Sequence, residues 1–141
     1  MHYEYIRPSF WTEPDFEEWT PFARTLYLWA ATNPYQVAPG ITRATPLQIQ
    51  AMTGMPAVLQ ADALREIGER IALYRGGWLW LRARLKHVCC NESHWKRVCK
   101  LMSEVVLPQQ LVADFARRYN SYAPFKKFSK KEPLPDGVDT V

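Results

Sequence analysis

Five side chains able to ligate zinc, His87, Cys89, Cys90, His94 and Cys99, fall within thirteen residues. Structural zinc sites take four such ligands, usually as pairs set two to four residues apart. Here two cysteines are adjacent. If the segment is helical, His94 and Cys99 are five positions apart and diverge by about 140°. Free thiols are therefore the reading adopted, with no metal and no cofactor expected. The residues offer no other reactive constellation. There is no glycine-rich phosphate loop, no nucleophile elbow and no His-Glu helical metal motif. His2, His87 and His94 lack carboxylate partners at a useful spacing, so no catalysis is expected.

The remaining chemistry is cationic. Lys and Arg number 18 against 14 Asp and Glu, a formal net charge of +4. Residues 1–40 set Arg7 and Arg24 against Glu4, Glu13, Asp15, Glu17 and Glu18, a net −3. Residues 65–100 carry nine basic side chains against Glu66, Glu69 and Glu92, a net +6. A local field of that kind attracts phosphate even when the total charge is modest. Arg75, Arg82, Arg84 and Lys86 form the densest run, and they are the candidate phosphate contacts. Solvated charges guarding an edge hairpin are the alternative. Further on, Lys126, Lys127, Lys130 and Lys131 flank Phe128 and offer a nucleic-acid or partner clamp, against the default of a solvated tail.

These groups need elements to hold them. Thr20-Pro21 is a hydroxyl N-cap followed by proline at the first helical position. It opens a helix with Phe22, Leu26, Trp29 and Ala30 on one face, and Asn33-Pro34 closes that helix. A weak capping box, Thr12 with Asp15, precedes it. Residues 3–7 alternate as a strand does. Pro39-Gly40 marks a turn, and residues 41–43 fit a very short strand. Thr45-Pro46-Leu47-Gln48 predicts a capped second helix with Ile49 and Met52 inward and Gly54 as its stop. Pro56 opens a third, to about Arg70, with Leu64, Ile67 and Ile71 as its stripe. Two β-prone runs, 71–74 and 78–82, surround Arg75-Gly76-Gly77 and predict a hairpin. A helix over about 92–106 follows, capped by Asn91 or Ser93, with Trp95, Val98, Met102 and Val105 inward. Pro108 breaks it, and a last helix over about 109–120 turns Leu111, Phe115 and Tyr119 inward. Most of the six tryptophans are expected in the core or packed on the hairpin, with base stacking by Trp78 or Trp80 the less favoured role.

At 141 residues and 48% hydrophobic, the chain has material for one domain with a proper core. Residues 1–122 are read as that domain and 123–141 as a basic, flexible tail. No stretch approaches the roughly 18 apolar residues of a membrane span. The first residues show no basic segment leading into an apolar run, so a cytoplasmic location is expected. The fold class expected is mainly α, of α+β type. Helix, short strand, short helix, helix and hairpin are the elements of a winged helix-turn-helix, here followed by two C-terminal helices.

Several stretches carry a family likeness: Phe10-Trp11-Thr12-Glu13-Pro14, Leu26-Tyr27-Leu28 leading to Thr32-Asn33-Pro34, and Gly40-Ile41. So do Leu64-Arg65-Glu66-Ile67, the hairpin Trp78-Leu79-Trp80-Leu81, His94-Trp95 and Phe115-Ala116-Arg117-Arg118-Tyr119. Together they resemble the N-terminal winged-helix domain of temperate-phage replication-initiation (replisome-organiser) proteins, over roughly residues 3–120. The resemblance implies binding of double-stranded origin DNA and recruitment of replication partners, without catalysis, in the host cytoplasm. In that family a C-terminal region commonly follows, where here only a short tail remains.

On this scaffold Gln60 and Arg65 are the candidate base contacts, because exposed Arg, Lys, Asn or Gln on the recognition helix read bases. Asp62 on the same helix opposes phosphate, and Val58 and Leu59 cannot both point inward. An exposed apolar helix face suits protein contact. The alternative is therefore a small phage-encoded inhibitor that uses the same scaffold against a host protein complex, such as replication or anti-phage CRISPR machinery. A homodimer is compatible with either reading.

Overall fold

Thr20 caps the first helix as its sequence predicts. Its hydroxyl accepts from Ala23 N at 3.3 Å, and Pro21 stands at the first turn of α1 (Pro21–Thr32). The coordinates, a computed structural model, describe residues 6, 8–12, 15–85 and 92–119. Two short 3₁₀ turns, Pro8–Thr12 and Phe16–Glu18, lead into α1. Then come β1 (Gln36–Ala38), β2 (Ile41–Arg43), α2 (Pro46–Thr53) and α3 (Ala57–Ile67). After a 3₁₀ turn over Gly68–Arg70 follow β3 (Ile71–Tyr74), β4 (Trp78–Leu81), α4 (Glu92–Ser103) and α5 (Gln109–Tyr119). The architecture is mainly helical with one small antiparallel sheet, ordered β1-β2-β4-β3. No helix among the described residues is long and apolar enough to cross a membrane.

All four side chains of β4 are buried, and this organises the molecule. Strand side chains alternate. Leu79 and Leu81 therefore join Ile71 in a core with Leu26, Tyr27, Trp29, Ile49 and Ile67 from α1–α3. Trp78 and Trp80 point to the other face, into a second core with Ile41, Trp95, Met102, Leu111, Phe115 and Tyr119. The 71–82 hairpin is thus present, but α4 and α5 cover its outer face. Trp78 and Trp80 pack there, leaving neither free for a base.

Polar ties fix the layers. Asn33 Nδ2 donates to Trp29 O at 3.0 Å and to Thr42 Oγ1 at 2.9 Å, linking the end of α1 to β2. Glu66 on α3 accepts from Thr20 N at 2.7 Å and Thr20 Oγ1 at 2.8 Å. Tyr74 Oη donates to Asp114 Oδ2 at 2.8 Å, joining β3 to α5. Tyr119 Oη donates to Arg82 O, joining the end of α5 to the end of β4.

Several expectations are corrected. Phe22 is exposed: it lies in the first turn of α1, at the end of the stripe formed by Ala23, Leu26, Tyr27, Trp29, Ala30 and Ala31. Met52 is also at the surface, where its sulfur accepts from Trp29 Nε1 at 3.4 Å. Residues 36–38 form a strand the sequence reading lacked. It is brought back by Gly40, whose φ is +80° and whose Cβ, were there one, would meet Leu81 O at 2.7 Å. Thr12 and Asp15 form no capping box. Thr12 Oγ1 donates to Ser9 O at 3.1 Å, and Asp15 pairs with Arg70 at 3.0 Å. Ser93 lies inside the first turn of α4 and so is not its cap, and α4 ends at Ser103, before Val105. Residues 3–5 and 7 of the first alternating run, Asn91 and the 123–141 tail lie outside the described residues.

Candidate nucleic-acid interface

The hairpin tip is tied to the helical pair by backbone. Ala44 N donates to Gly77 O at 3.0 Å, and Arg43 Nε donates to Gly76 O at 3.1 Å. Gly77 has φ +82°, and a Cβ there would meet Ala44 O at 3.1 Å, so the approach needs glycine. The next residue, Thr45, starts α2 with a complete capping box: Thr45 Oγ1 accepts from Gln48 N, and Gln48 Oε1 accepts from Thr45 N at 2.8 Å. Gly54, at φ +79°, ends α2, and the chain turns into α3. Gln60, in the first turn of α3, donates from Nε2 to Pro46 O at 2.9 Å and to Met55 O at 2.8 Å. Tip, first turn of α2 and first turn of α3 are therefore joined by hydrogen bonds into one unit.

The structure separates the residues that the sequence grouped. Gln60 is 4% exposed and holds α2 against α3, so it is not placed to read a base. Arg65 is on the outer face of α3 but paired with Asp62 at 3.1 Å. Arg75 is exposed in the hairpin turn. Arg82 is at the other end of β4. Its guanidinium lies 5.8 Å over Trp80, on the sheet face that α4 and α5 cover, and its Nε is buried. Arg84 is 5% exposed, with its Cβ against Gly40. Arg82 and Arg84 thus do not line up with Arg75 and α3, which corrects the expectation of a continuous arginine row. Lys86 and Lys126, Lys127, Lys130 and Lys131 lie outside the described residues.

One residue was missed. Arg43 is exposed beside the tip, its guanidinium 5.6 Å over the Trp78 ring. Only the pairing of β2 with β4, Arg43 opposite Trp78, brings it there. An arginine directly ahead of a helix start was the sole signal in the sequence.

The helical surface itself is close to neutral and apolar. Leu47 is 78% exposed and Val58 73%, and Ala57 and Ala61 are exposed beside Asp62. Of Val58 and Leu59, Leu59 takes the inward position. His94 is exposed on α4 while Cys99 is buried, so the two do not converge. His87, Cys89 and Cys90 lie outside the described residues. Among the described residues no three His, Cys, Asp or Glu side chains group to hold a metal. Tyr74, away from this surface, has its phenol pushed well above the usual range, first by burial and then by the hydrogen bond to Asp114 and that carboxylate's charge.

No protein-family model, curated protein or solved structure matches this chain.

Proposed function

We propose that the chain is a winged helix-turn-helix module of the phage replisome-organiser type. In this reading it binds duplex DNA without catalysis and acts in replication initiation or its control in the host cytoplasm. The observation that supports this reading is the junction of tip and helical pair. The order β2-β4-β3 sets the 75–77 turn against the start of α2, so that Arg75 stands beside the surface of α2 and α3, while Arg43, at the same end of the sheet, lies on its Trp78 face. A major groove admits one helix, and Arg75 beside it would meet the phosphate backbone. With Gln60 buried and Arg65 tied to Asp62, the contacts are chiefly to the backbone, and modest sequence preference is expected. The test is duplex binding as a function of salt. Each phosphate contact adds about 0.9 to the log–log slope, so Arg75→Glu lowers the slope by about that amount. An affinity that is undetectable at low salt, or indifferent to Arg75→Glu, overturns the reading.

A second reading is supported by Leu47 and Val58, large apolar side chains exposed on the same two helices. Winged-helix scaffolds also serve protein contacts. On that reading the chain inhibits a host protein complex. A stoichiometric protein partner that survives nuclease treatment and is lost on Val58→Asp would select it.

A further inference from the structure

Sorting the basic side chains by what they already touch isolates a second surface. Arg24 donates to Trp19 O at 3.1 Å and to Glu17 O, while Arg65, Arg70 and Arg117 pair with Asp62, Asp15 and Asp114. Arg43, Arg82 and Arg118 stack on Trp78, Trp80 and Tyr119. Arg84 is buried. Among the described residues, the cations left with neither an ion pair nor a ring are Arg75 and three on α4: Lys96, Arg97 and Lys100. All three are exposed.

Their spacing is not diffuse. At 3.6 residues per turn they occupy about 100° of arc and span about 6 Å along the axis. Trp95, Val98, Cys99 and Met102 fill the opposite arc and face the second core. The cationic stripe therefore points directly away from the sheet. Because α4 covers the face of β4 opposite α1–α3, the stripe also points away from α2, α3 and the hairpin tip. Ser93 lies within the same arc; Glu92, the sole acid of α4, falls outside it, and Glu104, just past the helix with its N–H on Lys100 O at 3.2 Å, ends the stripe without an ion pair to any of the three. An evenly mixed surface would be solvated and would repel nothing, whereas three unneutralised charges on one stripe are suited to a phosphate chain.

We infer that the outer face of α4, through Lys96, Arg97 and Lys100, binds the phosphodiester backbone of a second duplex segment, so that one molecule holds two stretches of DNA on opposite sides of its sheet. The inference rests on the reading that the protein engages duplex DNA. It adds a separate surface, because a straight duplex lying on α3 and the tip cannot also lie on α4.

The experiment uses the whole chain in two assays. One measures equilibrium binding of a single duplex. The other measures capture of a labelled duplex by an immobilised one. The expected result is bridging by the native protein that falls at least tenfold in K96E/R97E/K100E, while single-duplex binding through Arg75 persists. The uncharged K96Q/R97Q/K100Q should show the same separation, and circular dichroism should report both variants folded. Three lost contacts would lower the salt slope of the bridging step by about 2.7. Single-duplex binding without bridging, or bridging indifferent to the α4 substitutions, overturns the inference and leaves the function reading intact. No duplex binding at all overturns both. Phosphatidylglycerol vesicles form the last arm: vesicle binding that depends on these three residues, with no bridging, assigns the stripe to lipid and overturns the inference.

Discussion

Gln60 shows how a side chain's surroundings decide its work. A glutamine exposed on a helix in a major groove has the donor and acceptor to read adenine, and Gln60 is in the first turn of α3. One residue position on α3 separates that role from the one it has. Its side-chain amide bridges Pro46 O and Met55 O, and so sets the distance between α2 and α3. Gln60→Ala removes the side-chain donor from the buried Met55 O and the half-buried Pro46 O and should cost about 1–3 kcal/mol of stability, read by urea unfolding. On the proposed DNA-binding reading, any base preference should be the same in the folded variant as in the native protein; a changed preference would make Gln60 a base contact. The arginines carry the same lesson. Arg82 and Arg84 look like members of one basic run in the sequence, yet one lies on Trp80 and the other beneath Gly40. Charge counted along a chain is not charge presented to a partner. That one of Val58 and Leu59 is exposed, by contrast, was legible, because they are neighbours on a helix and only one can face a single core; that it is Val58 was not.

At the scale of elements, what was legible is what local chemistry dictates. Thr20-Pro21, Thr45-Pro46 with Gln48, Gly54 and the Gly76-Gly77 turn each contain their own signal, and each element begins or ends there. The three-residue β1 was not legible. It exists because Gly40 allows a close return and because β2 is held by β4, a partner nearly forty residues away. The cover on the hairpin's outer face was equally hidden, since the apolar stripes of α4 and α5 do not say which surface they meet. Tyr74 is where that docking can be measured. It is neutral in the fold, donating to Asp114, which also accepts from Gln110 at 2.9 Å and pairs with Arg117 at 3.2 Å. Its pKa is raised above the ordinary tyrosine value of 10.0, so the unfolded chain ionises first as pH rises. The stabilisation is therefore full below about pH 10 and declines above it. Tyr74→Phe should be less stable than the native protein at pH 8, and the gap should narrow as pH rises past 10. A gap that stays constant through that range would mean that the phenol does not secure α5.

For the whole molecule the central fact is that β4 belongs to both cores. Leu79 and Leu81 are packed among α1–α3, while Trp78 and Trp80 are packed among α4 and α5, and no residue of the strand is left to water. Neither layer can detach without exposing two large side chains of the same strand, each worth about 1.5–3 kcal/mol in burial. The helical pair and the C-terminal helices should therefore unfold together, although they bear surfaces of different character: apolar and neutral on α2 and α3, cationic on α4. Substitutions on either side of the sheet test this. Leu26→Ala in the first core should cost about 2–5 kcal/mol, and Phe115→Ala in the second about 3–5 kcal/mol. Both side chains are fully buried. In each variant, tryptophan fluorescence and far-ultraviolet circular dichroism should follow one shared transition at a lower urea midpoint. If Phe115→Ala instead splits the curve, with helix lost early and the remainder melting at the native midpoint, then α4 and α5 are a separable cap. In that case the α2–α3 surface would stand without them, and bridging could be removed by truncation while single-duplex binding survived.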